Sequence, residues 1–568
     1  MDRFNDIKNR NDLADFLRIP RRKLTYILYV KGVNSYYFTF EIPKKAGDFR
    51  TICAPSGDLK TVQTRLAKAL LEYQMTIRSS NNINPHISHG FEKGKSIITN
   101  AQKHRNKRFI LNIDLTDFFS SIHFGRVLGF FKKNKHFSLP HDAAVTISQI
   151  VCYNGCLPQG APSSPVITNL ICQVLDIRIV SLARKYKLDY TRYADDLTFS
   201  TNAVSFPNIQ EDFLSELSNE ISRAGFTINP SKTRLAYKDS RQEVTGLVVN
   251  KKINIRRSFF QETKAMAHHL YVHGEYTINN VPGNVRQLEG RFSFINHIDH
   301  YNNDLSQPTE KHGPFNLCGR EREYKKFLFY KYFFANEVPL IVTEGKTDIR
   351  YIQAALMNLH SNYPSLVQKD SQGNYFFSIR FFRRTKKWKY FFGISADGAD
   401  AMKILYKHFT DQKGSINYYA YFQKISRVPK NTPVILLFDN ETVTKRPLRS
   451  FINEDSSISD TQKEALRNNL YLSLVPESKL FLLTNPLVDN KAECEIEDLF
   501  HSDLLKLQLN GKTFSRKDKF DNTKYYGKDI FSRYVLENYR TIDFSKFVPL
   551  LDALNSIIEN NYQNHTTS

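Results

Sequence analysis

The sequence predicts a multidomain protein whose α+β first half is followed by a parallel α/β second half. Its 568 residues are enough for roughly three to five domains of ordinary size. Residues 1–301 combine helical patterns with strands that end in Asp residues, whereas from residue 336 onward apolar strands alternate with helices. Alternation of this kind is typical of a parallel sheet.

The charge balance favours nucleic acid as a partner. Lys and Arg number 80 against 57 Asp and Glu, a net charge of +23 at pH 7, which attracts a polyanion. The six scattered cysteines suit a reducing cytoplasm better than a disulfide framework. The first residues lack the order of a signal peptide, and no run reaches the roughly 18 apolar residues that a membrane helix needs. We therefore expect a cytoplasmic protein without a membrane partner.

Three elements of the first half are clear. The run FILNIDL from Phe109 reads as a buried strand that ends in carboxylates. A helix is predicted over 163–183, with Ser164 as its N-cap and Pro165 in its first turn. The segment LDYTRYADDLTFS predicts a β-hairpin with acidic residues at its tip.

Carboxylates from two of these elements form a candidate site for phosphoryl transfer. Asp114 lies near the end of the predicted strand, and Asp195 and Asp196 lie in the hairpin. Transfer from a nucleoside triphosphate uses two divalent ions about 4 Å apart, which two or three carboxylates hold. An Asp at a strand end or in a hairpin is by itself ordinary turn chemistry, so the ordered combination is what indicates catalysis.

Seven motifs in order resemble those of reverse transcriptases. The tetrapeptide YADD resembles their (Y/F)xDD signature, while NAQKH and VTG resemble the NAxxH and VTG motifs that mark bacterial retron reverse transcriptases. In chain order the motifs are FRTICAPSGDLKTVQTRL with Arg50, NAQKH with Asn100 and His104, NIDLTDFFSSI with Asp114, LPQGAPSSPVITNL with Gln159 and Gly160, YADD with Asp195 and Asp196, GFTINPSKT with Lys232, and VTG with Thr245. The resemblance covers about residues 1–300.

This resemblance implies a right-hand polymerase, with fingers, palm and thumb, over residues 1–301. Asp114, Asp195 and Asp196 would be catalytic and would hold two Mg²⁺ ions. The aromatic ring of Phe119 would exclude a 2′-OH and so select deoxynucleotides. Residues expected at the nucleotide are Arg50, Phe119, Gln159, Gly160 and Lys232, and those expected at the RNA are Asn100, His104, Thr245, Arg256, Arg257 and Arg286.

The resemblance also implies partners and a biological role. A retron enzyme copies its own structured noncoding RNA with deoxynucleoside triphosphates and primes from the 2′-OH of an internal guanosine. The product is a branched RNA–DNA (msDNA), and host ribonuclease H is a possible further partner. The usual role of the family is defence against phage, with a second domain as effector.

The second half contains further acidic groups at strand ends. After a predicted linker over 302–335, an apolar strand leads into EGKTD, and the strand TPVILLFDNE ends in the same fashion. Residues 336–505 resemble the Toprim domain of primases, topoisomerases and OLD-type nucleases. The resemblance makes Glu344 catalytic, with Glu344, Asp348, Asp439 and Glu441 as ligands of one or two Mg²⁺ ions, although Glu441 stands where the DxD pattern has Asp. A metal-dependent nuclease is the favoured activity.

Other parts of the chain leave alternatives open. The basic and aromatic segment 371–391 fits either a surface that binds a nucleic-acid strand or a solvated β-hairpin. Residues 506–568 are an extension without an assigned role. For the whole protein, a reverse transcriptase of the group II intron or abortive-infection type is one alternative. An RNA-binding scaffold with an inactive Toprim fold is another.

Overall fold

The computed structural model describes residues 4–43, 47, 49–80, 87–305, 313–395, 400–412, 414–428, 432–442, 447–454, 458–517 and 519–561. The chain divides into two compact units, residues 1–256 and residues 257–568.

The elements of the first unit alternate between helices and short strands. Its α-helices are α1 (Arg10–Phe16), α2 (Arg21–Thr25), α3 (Gly57–Ser80), α4 (Ile97–Lys103), α5 (Phe124–Lys133), α6 (His141–Val151), α7 (Ser164–Lys185) and α8 (Phe206–Arg223). Its strands are β1 (Tyr37–Pro43), β2 (Phe49–Pro55), β3 (Phe109–Thr116), β4 (Asp189–Tyr193), β5 (Asp196–Thr201), β6 (Thr227–Ile228), β7 (Arg234–Tyr237), β8 (Glu243–Val244) and β9 (Leu247–Val248).

An antiparallel sheet forms the centre of the first unit. Strand β3 pairs with β5 on one side and with β6 and β7 on the other, and β4 extends the sheet beyond β5. The predicted strand at FILNIDL and the predicted acidic hairpin are therefore confirmed. Strands β1 and β2 form a separate antiparallel hairpin. The sheet and the helices around it bury one continuous apolar core.

Helix α7 differs from its prediction in one detail. Its N-cap is Ser163 rather than Ser164, and no side-chain hydrogen bond caps it. The Ser164 hydroxyl instead donates to the carbonyl of Pro158, at 2.7 Å, because the preceding turn brings that carbonyl within reach. By length and composition α7 would suffice to cross a membrane, but most of it is buried in the core of the first unit.

The elements of the second unit are more numerous. Its α-helices are α9 (Arg257–His273), α10 (Val285–Leu305), α11 (Gly319–Phe329), α12 (Asp348–Asn358), α13 (Lys386–Phe392), α14 (Asp400–Tyr406), α15 (Tyr418–Ile425), α16 (Pro447–Glu454), α17 (Asp460–Asn469), α18 (Ser502–Leu505), α19 (Lys528–Glu537) and α20 (Val548–Asn561). Its strands are β10 (Thr277–Ile278), β11 (Val281–Pro282), β12 (Leu340–Thr343), β13 (Val367–Lys369), β14 (Tyr375–Phe377), β15 (Arg380–Phe381), β16 (Val434–Phe438), β17 (Tyr471–Val475), β18 (Leu480–Thr484), β19 (Thr513–Phe514) and β20 (Tyr525–Tyr526).

The second unit is built on a five-stranded sheet of order β15-β12-β16-β18-β17. Its strands run parallel except β17, so the predicted parallel α/β architecture is present. Alternate strand residues point to opposite faces. Val342 and Leu436 pack into a core that includes α9, α10, α11 and α13, whereas Ile341 and Leu437 pack into a core that includes α12, α19 and α20. The described residues of the C-terminal segment, up to Asn561, thus cover one face of the sheet.

The structure differs from the predicted linker over 302–335. Residues 306–312 of it lie outside the described residues, but α11 and the π-helical turn Tyr330–Phe334 that follows it are regular structure. Tyr324, Phe327 and Phe333 are buried in the same core as Leu288 and Phe292, which lie in the segment 244–300 that the family resemblance assigns to the thumb. The aromatic residues at helical spacing make this segment part of a core, and the division of the chain falls at 256/257 rather than near 301.

The basic segment 371–391 is also not a simple hairpin. Strand β14 belongs to a two-stranded sheet with β13, β15 joins the edge of the main sheet, and α13 follows. Trp388 is 3% exposed, and its ring packs against Phe382, Tyr332 and Phe392 at centroid distances of 4.7, 5.1 and 5.1 Å. This tryptophan is therefore a core residue and is not available for stacking on a base.

Candidate active site

The register of the central sheet brings the first three carboxylates together. Asp114 of β3 lies directly opposite Asp196 of β5. Asp195 occupies the tight turn between β4 and β5, where its carbonyl accepts a hydrogen bond from the amide of Leu115, at 3.1 Å. Ala194 in this turn has a φ of 57°, a left-handed value that lets two residues reverse the chain. The predicted carboxylates therefore converge.

Burial and mutual repulsion shape the electrostatics of this site. Burial, then the charges of Asp195 and Asp114, raise the pKa of Asp196 to about 7. Burial also raises the pKa of Asp195, while the charges of Arg50 and Lys232 act against that rise. Neighbouring carboxylates are costly to ionise together because their charges repel. A cation bound among them relieves that repulsion.

Two residues of the GFTINPSKT motif hold Asp114. The Lys232 ammonium lies 2.9 Å from Asp114 Oδ1 and 3.1 Å from Oδ2. The backbone amide of Asn229 donates to the Asp114 carbonyl at 2.8 Å, and its side-chain amide lies 3.5 Å from Oδ1. The Lys232 side chain is 59% exposed, so this ion pair lies at the surface of the site.

Among the other residues predicted at the nucleotide, Arg50 lies close enough for its charge to act on Asp195, and Gln159 and Gly160 pack against the β1–β2 hairpin. The Gln159 carbonyl accepts from the amide of Cys53 in β2, at 2.8 Å. Gly160 has a φ of 124°, and a Cβ there would come within 2.7 Å of Ile52, so only glycine fits between this loop and the β1–β2 hairpin. Arg50 is exposed on β2, and Phe119 is half-buried against Phe118 and Phe91.

The structure differs from the prediction that Asn100 and His104 contact RNA. Both are fully buried on the sheet face that carries Asp196. His104 Nδ1 lies 2.7 Å from the Ser200 hydroxyl of β5, and Nε2 lies 2.7 Å from the Thr191 hydroxyl of β4. The Thr191 hydroxyl also bonds Asn100 Oδ1, at 2.6 Å. This network ties together β4 and β5, the two strands of the hairpin that carries Asp195 and Asp196.

Burial keeps that network neutral. It lowers the pKa of His104 to about 3, with the nearby His89 as the next cause. The polar row continues toward the carboxylates, because the Thr198 hydroxyl of β5 bonds Asn112 Oδ1 of β3 at 3.2 Å. Asp196, Thr198 and Ser200 thus share one face of the sheet with alternate spacing.

The remaining residues predicted at RNA fall in several places. Thr245 and Gly246 both have positive φ, as the two-residue turn between β8 and β9 requires, and the Thr245 hydroxyl lies 3.5 Å from the Ile97 carbonyl. Arg256 is exposed and paired with Glu243. Arg257 and Arg286 are exposed on the second unit. Their RNA contacts stay predictions.

The sequence did not lead us to the groups that pack against the β4–β5 hairpin. Arg192 of β4 is fully buried and bonds Asp176 of α7 at 2.8 and 2.7 Å. A basic residue within the predicted hairpin strand DYTRY was the available signal. Gly90 packs beneath the hairpin, and a Cβ there would lie 2.6 Å from the amide nitrogen of Ala194. No pattern in the sequence marks that close approach.

Comparison with known proteins bears on the first unit. The family model described as reverse transcriptase (RNA-dependent DNA polymerase) matches residues 42–253. The retron Ec86 reverse transcriptase of Escherichia coli is 36% identical over 280 residues, which cover 49% of this chain and 82% of that relative. The chain belongs to the retron reverse transcriptases. The retron Mx162 reverse transcriptase of Myxococcus xanthus is 34% identical over 272 residues, 43% of this chain and 54% of that relative.

This retron reverse transcriptase is an RNA-directed DNA polymerase, and Mg²⁺ is the cofactor that such enzymes generally use. Among solved structures, a telomerase from Candida albicans in complex with a fragment of telomeric RNA matches with a TM-score of 0.31 and 11% identity. That match covers 58% of this chain and 64% of the telomerase chain.

The retron reverse transcriptase carries a second acidic cluster, in its second unit. Glu344 and Asp439 directly follow the adjacent parallel strands β12 and β16. Asp439 Oδ1 accepts from the amide of Ile496 at 2.9 Å and from the side-chain amide of Asn485 at 2.7 Å. Asp348 begins α12 and accepts from the Gly345 amide at 2.7 Å. Carboxyl ends of parallel strands are where open α/β sheets place ligands.

The carboxylates of this cluster act on one another, and Glu497 is among them. Burial raises the pKa of Asp439 well above its usual value, and Asp348, Glu344 and Glu497 raise it further. Burial likewise raises the pKa of Glu344 and of Glu497. Glu441 is buried, and its amide donates to the Asp439 carbonyl at 3.0 Å. Glu497, which belongs to the acidic segment CEIEDLF over residues 494–500, is therefore part of the cluster.

The C-terminal segment supplies a cation to this cluster. Lys528, at the start of α19, lies 3.1 Å from Glu497 Oε2 and 3.5 Å from Glu495 Oε2. Burial acts against the charged ammonium, but the two glutamates raise the pKa of Lys528 overall. Arg516 of the same segment bonds Asp498 at 2.8 Å. The C-terminal segment therefore helps to build the site through Arg516 and Lys528.

The donor chemistry of both clusters suits Mg²⁺, which prefers carboxylate oxygens. In the second unit, Glu344 Oε2 is buried without a hydrogen-bond partner, which a cation would satisfy. As the side chains stand, no three His, Cys, Asp or Glu residues in the described parts of either unit are close enough to hold an ion. The individual ligand sets therefore stay predictions.

Proposed function

We propose that this retron reverse transcriptase makes a branched RNA–DNA from its own structured noncoding RNA. The observation that carries the proposal is the placement of Asp114 opposite Asp196, with Asp195 in the adjoining turn, in a chain that belongs to the retron family. The primer would be a 2′-OH of the RNA itself, and the substrates deoxynucleoside triphosphates. Host ribonuclease H would trim the RNA–DNA hybrid.

Each group of residues in the first site would have its own role in polymerisation. Asp114, Asp195 and Asp196 would hold two Mg²⁺ ions, which activate the attacking hydroxyl and stabilise the leaving pyrophosphate. Lys232 and Arg50 would neutralise the triphosphate. Gln159 and Gly160 would line the base and sugar, and the ring of Phe119 would exclude a 2′-OH.

The test is to express the protein with its adjacent noncoding locus and to separate the bound nucleic acid on a denaturing gel. We expect a short DNA that shifts after ribonuclease and debranching treatment and that is absent from Asp195→Asn and Asp196→Asn variants. The matched control is Asp189→Asn, because Asp189 lies in β4 but is exposed and paired with Lys107. DNA that persists in the Asp195 and Asp196 variants would sink the proposal.

For the second unit we propose a Toprim-type hydrolase that cleaves phosphodiesters with Mg²⁺. Glu344, Asp348 and Asp439 meet at the carboxyl ends of neighbouring parallel strands, and the orphaned Glu344 Oε2 supports a cation there. Glu344 would hold or remove a proton at the attacking water, and Lys528 would balance the charge. We further propose that this unit is an effector in anti-phage defence and acts in the cytoplasm.

The hydrolase is tested in an Asp195→Asn background, which removes polymerisation. Labelled DNA and RNA are incubated with the full chain and Mg²⁺, and cleavage is compared between Glu344→Gln and the exposed control Glu477→Gln. We expect cleavage only in the control and in the parent. Equal cleavage in both variants would point to a contaminating nuclease, and no cleavage in the parent would leave a binding role.

A further inference from the structure

A cavity of about 360 Å³ opens beside the acidic cluster of the second unit. Its walls come from the end of β12 with Thr343 and Gly345, from the first turns of α12, and from the residues that follow β15. This volume lies in the range of roughly 300–1,000 Å³ that is usual for pockets that take small organic ligands. The cavity is therefore large enough for a nucleotide unit.

The walls of this cavity are positively charged. Its lining includes Lys346, Arg350, Arg383 and Arg384, and no carboxylate is among the lining residues that the structure describes. The cavity thus differs in sign from the cluster of Glu344, Asp348 and Asp439 next to it. A surface of this charge selects an anion and repels a cation.

Two of these guanidinium groups are held by the protein. Arg350 bonds Asp529 Oδ1 at 2.7 Å and the Ser532 hydroxyl at 2.9 Å. Arg384 donates to the carbonyl of Thr343, and its charge acts against the burial that raises the pKa of Glu344. Arg384 therefore stands between the cavity and the cluster. A guanidinium held in place loses less entropy when it binds a phosphate.

The basic segment 371–391 divides accordingly. Trp388 is buried, and Lys387 is paired with Glu289 at 3.2 Å. Arg383 and Arg384, in contrast, line the cavity. Only part of this segment is therefore placed to meet a ligand beside Glu344.

We infer that this cavity binds a phosphate group of a nucleic-acid strand and thereby presents the neighbouring phosphodiester to the carboxylates around Glu344. The identification of the ligand as a nucleic-acid strand rests on the proposed hydrolase activity. The binding of a phosphate rests on the four cationic side chains and the shape of the cavity. The inference names the polyanionic substrate class of the second unit and assigns Lys346, Arg383 and Arg384 as its contacts.

A lysine acetylation footprint on the full chain tests this inference. The rate of acetylation of the exposed Lys346 is followed by peptide mass spectrometry with a short single-stranded DNA that carries a 5′-phosphate, with the same DNA carrying a 5′-hydroxyl, and with inorganic phosphate. Lys369 of β13, which is exposed outside the cavity, is the internal control. Because the footprint is read at one residue, nucleic acid bound elsewhere on the chain does not obscure it.

We expect DNA to slow the acetylation of Lys346 about tenfold when it is present at about ten times its Kd, with Lys369 unchanged. Arg383→Gln should raise that Kd about tenfold, because a charge-assisted hydrogen bond is lost. Arg380→Gln removes the same charge from the adjacent exposed position outside the cavity lining and should leave the Kd unchanged.

Comparison of the two DNAs with inorganic phosphate separates the outcomes. Protection by both DNAs indicates an internal phosphodiester, and protection by the 5′-phosphate DNA alone indicates a strand end. Protection by inorganic phosphate but by neither DNA overturns the strand as ligand, and no protection in any arm overturns the site. Cleavage without protection contradicts the cavity and leaves the hydrolase standing. Protection of Lys346 without cleavage supports the cavity and contradicts the hydrolase.

Discussion

The fold makes the carboxyl group of Asp196 costly to ionise. Its pKa of about 7 lies well above the ordinary 3.8, so the folded chain binds this proton more tightly than the unfolded chain does. Stability is therefore lost as pH rises between these two values, and the full cost is present above about pH 7. A bound cation would offset that cost.

We predict that Asp196→Asn stabilises the metal-free protein at alkaline pH. Asn cannot ionise, so the variant should gain about 2–4 kcal/mol over the parent near pH 8 and almost nothing near pH 4. Thermal unfolding in the presence of a chelator measures this difference. Mg²⁺ should narrow it at pH 8, and a gain of the same size at both pH values would show that charge repulsion is not the cause.

The buried His104 leads to a second prediction at the residue scale. His104→Ala removes the ring partner of the Ser200 hydroxyl and leaves the Thr191 hydroxyl bonded to Asn100 alone, in a region closed to water, so we expect a loss of about 2 kcal/mol in stability and a lower kcat. The Kd for the noncoding RNA should not change. Binding assays and steady-state kinetics decide between this role and direct RNA contact, for which a weaker Kd with normal kcat is the expected result.

A pH profile adds an independent readout for His104. Because its folded pKa of about 3 lies below the ordinary 6.5, the parent loses stability as pH falls below 6.5, when the unfolded chain binds the proton. The His104→Ala variant should lack that part of the slope, and His104→Gln should recover part of the kcat by restoring a hydrogen bond.

At the scale of elements, the β4–β5 hairpin depends on a glycine that lies outside it. A Cβ at Gly90 would lie 2.6 Å from the Ala194 amide nitrogen, closer than real contacts allow. Gly90→Ala must therefore displace the turn that carries Asp195. We predict a fall in kcat of about 100-fold, since a shift of about 1 Å at reacting groups costs that much.

Gly129→Ala is the matched control for this prediction. Gly129 lies in α5, and a Cβ there would meet nothing within 4 Å, so alanine should be neutral or should stabilise the helix by about 0.5–1 kcal/mol. Primer extension measures both variants. If Gly90→Ala retained the kcat of the control, the hairpin would have to be more mobile than its packing indicates.

The sequence predicts the elements whose patterns are local. The strand at Phe109 and the acidic hairpin follow from β-branched and aromatic runs with turn residues between them. The helix after Ser163 follows from its apolar spacing, although its cap was misplaced by one residue. The buried positions of Asn100 and His104 were not predictable, because their partners Thr191 and Ser200 lie on strands that are distant in the chain. For the same reason, the ion pair of Arg192 with Asp176 and that of Lys528 with Glu497 could not be predicted.

At the scale of the whole molecule, the division at 256/257 assigns Asp114, Asp195 and Asp196 to the first unit and α9 and α10, which were predicted as part of a thumb, to the second. Helices α9 and α10 bury Tyr271, Leu288 and Phe292 in one core with Tyr324 and Phe327 of α11. The sequence predicted a linker in this region because Asn, Pro and Gly gather near its start. The aromatic residues that recur at helical spacing between 324 and 334 were the local signal against that interpretation.

This division predicts how fragments of the chain behave. A fragment of residues 1–301 would expose the apolar face of α9 and α10, so we expect it to aggregate, whereas residues 1–256 should remain monomeric. Size-exclusion chromatography with light scattering compares the two, and residues 257–568 serve as the complementary fragment. A monodisperse 1–301 fragment beside an aggregated 1–256 fragment would place the boundary nearer 301.

The buried Trp388 has a spectroscopic consequence. It is the chain's single tryptophan and belongs to the second unit, so emission excited where tyrosine does not absorb comes from that unit alone. Circular dichroism, in contrast, sums the backbone signal of both units. If the two denaturation curves do not coincide, the distance between their midpoints measures how independently the polymerase and the α/β unit unfold. The chain thus carries its own selective fluorophore, and no label has to be introduced.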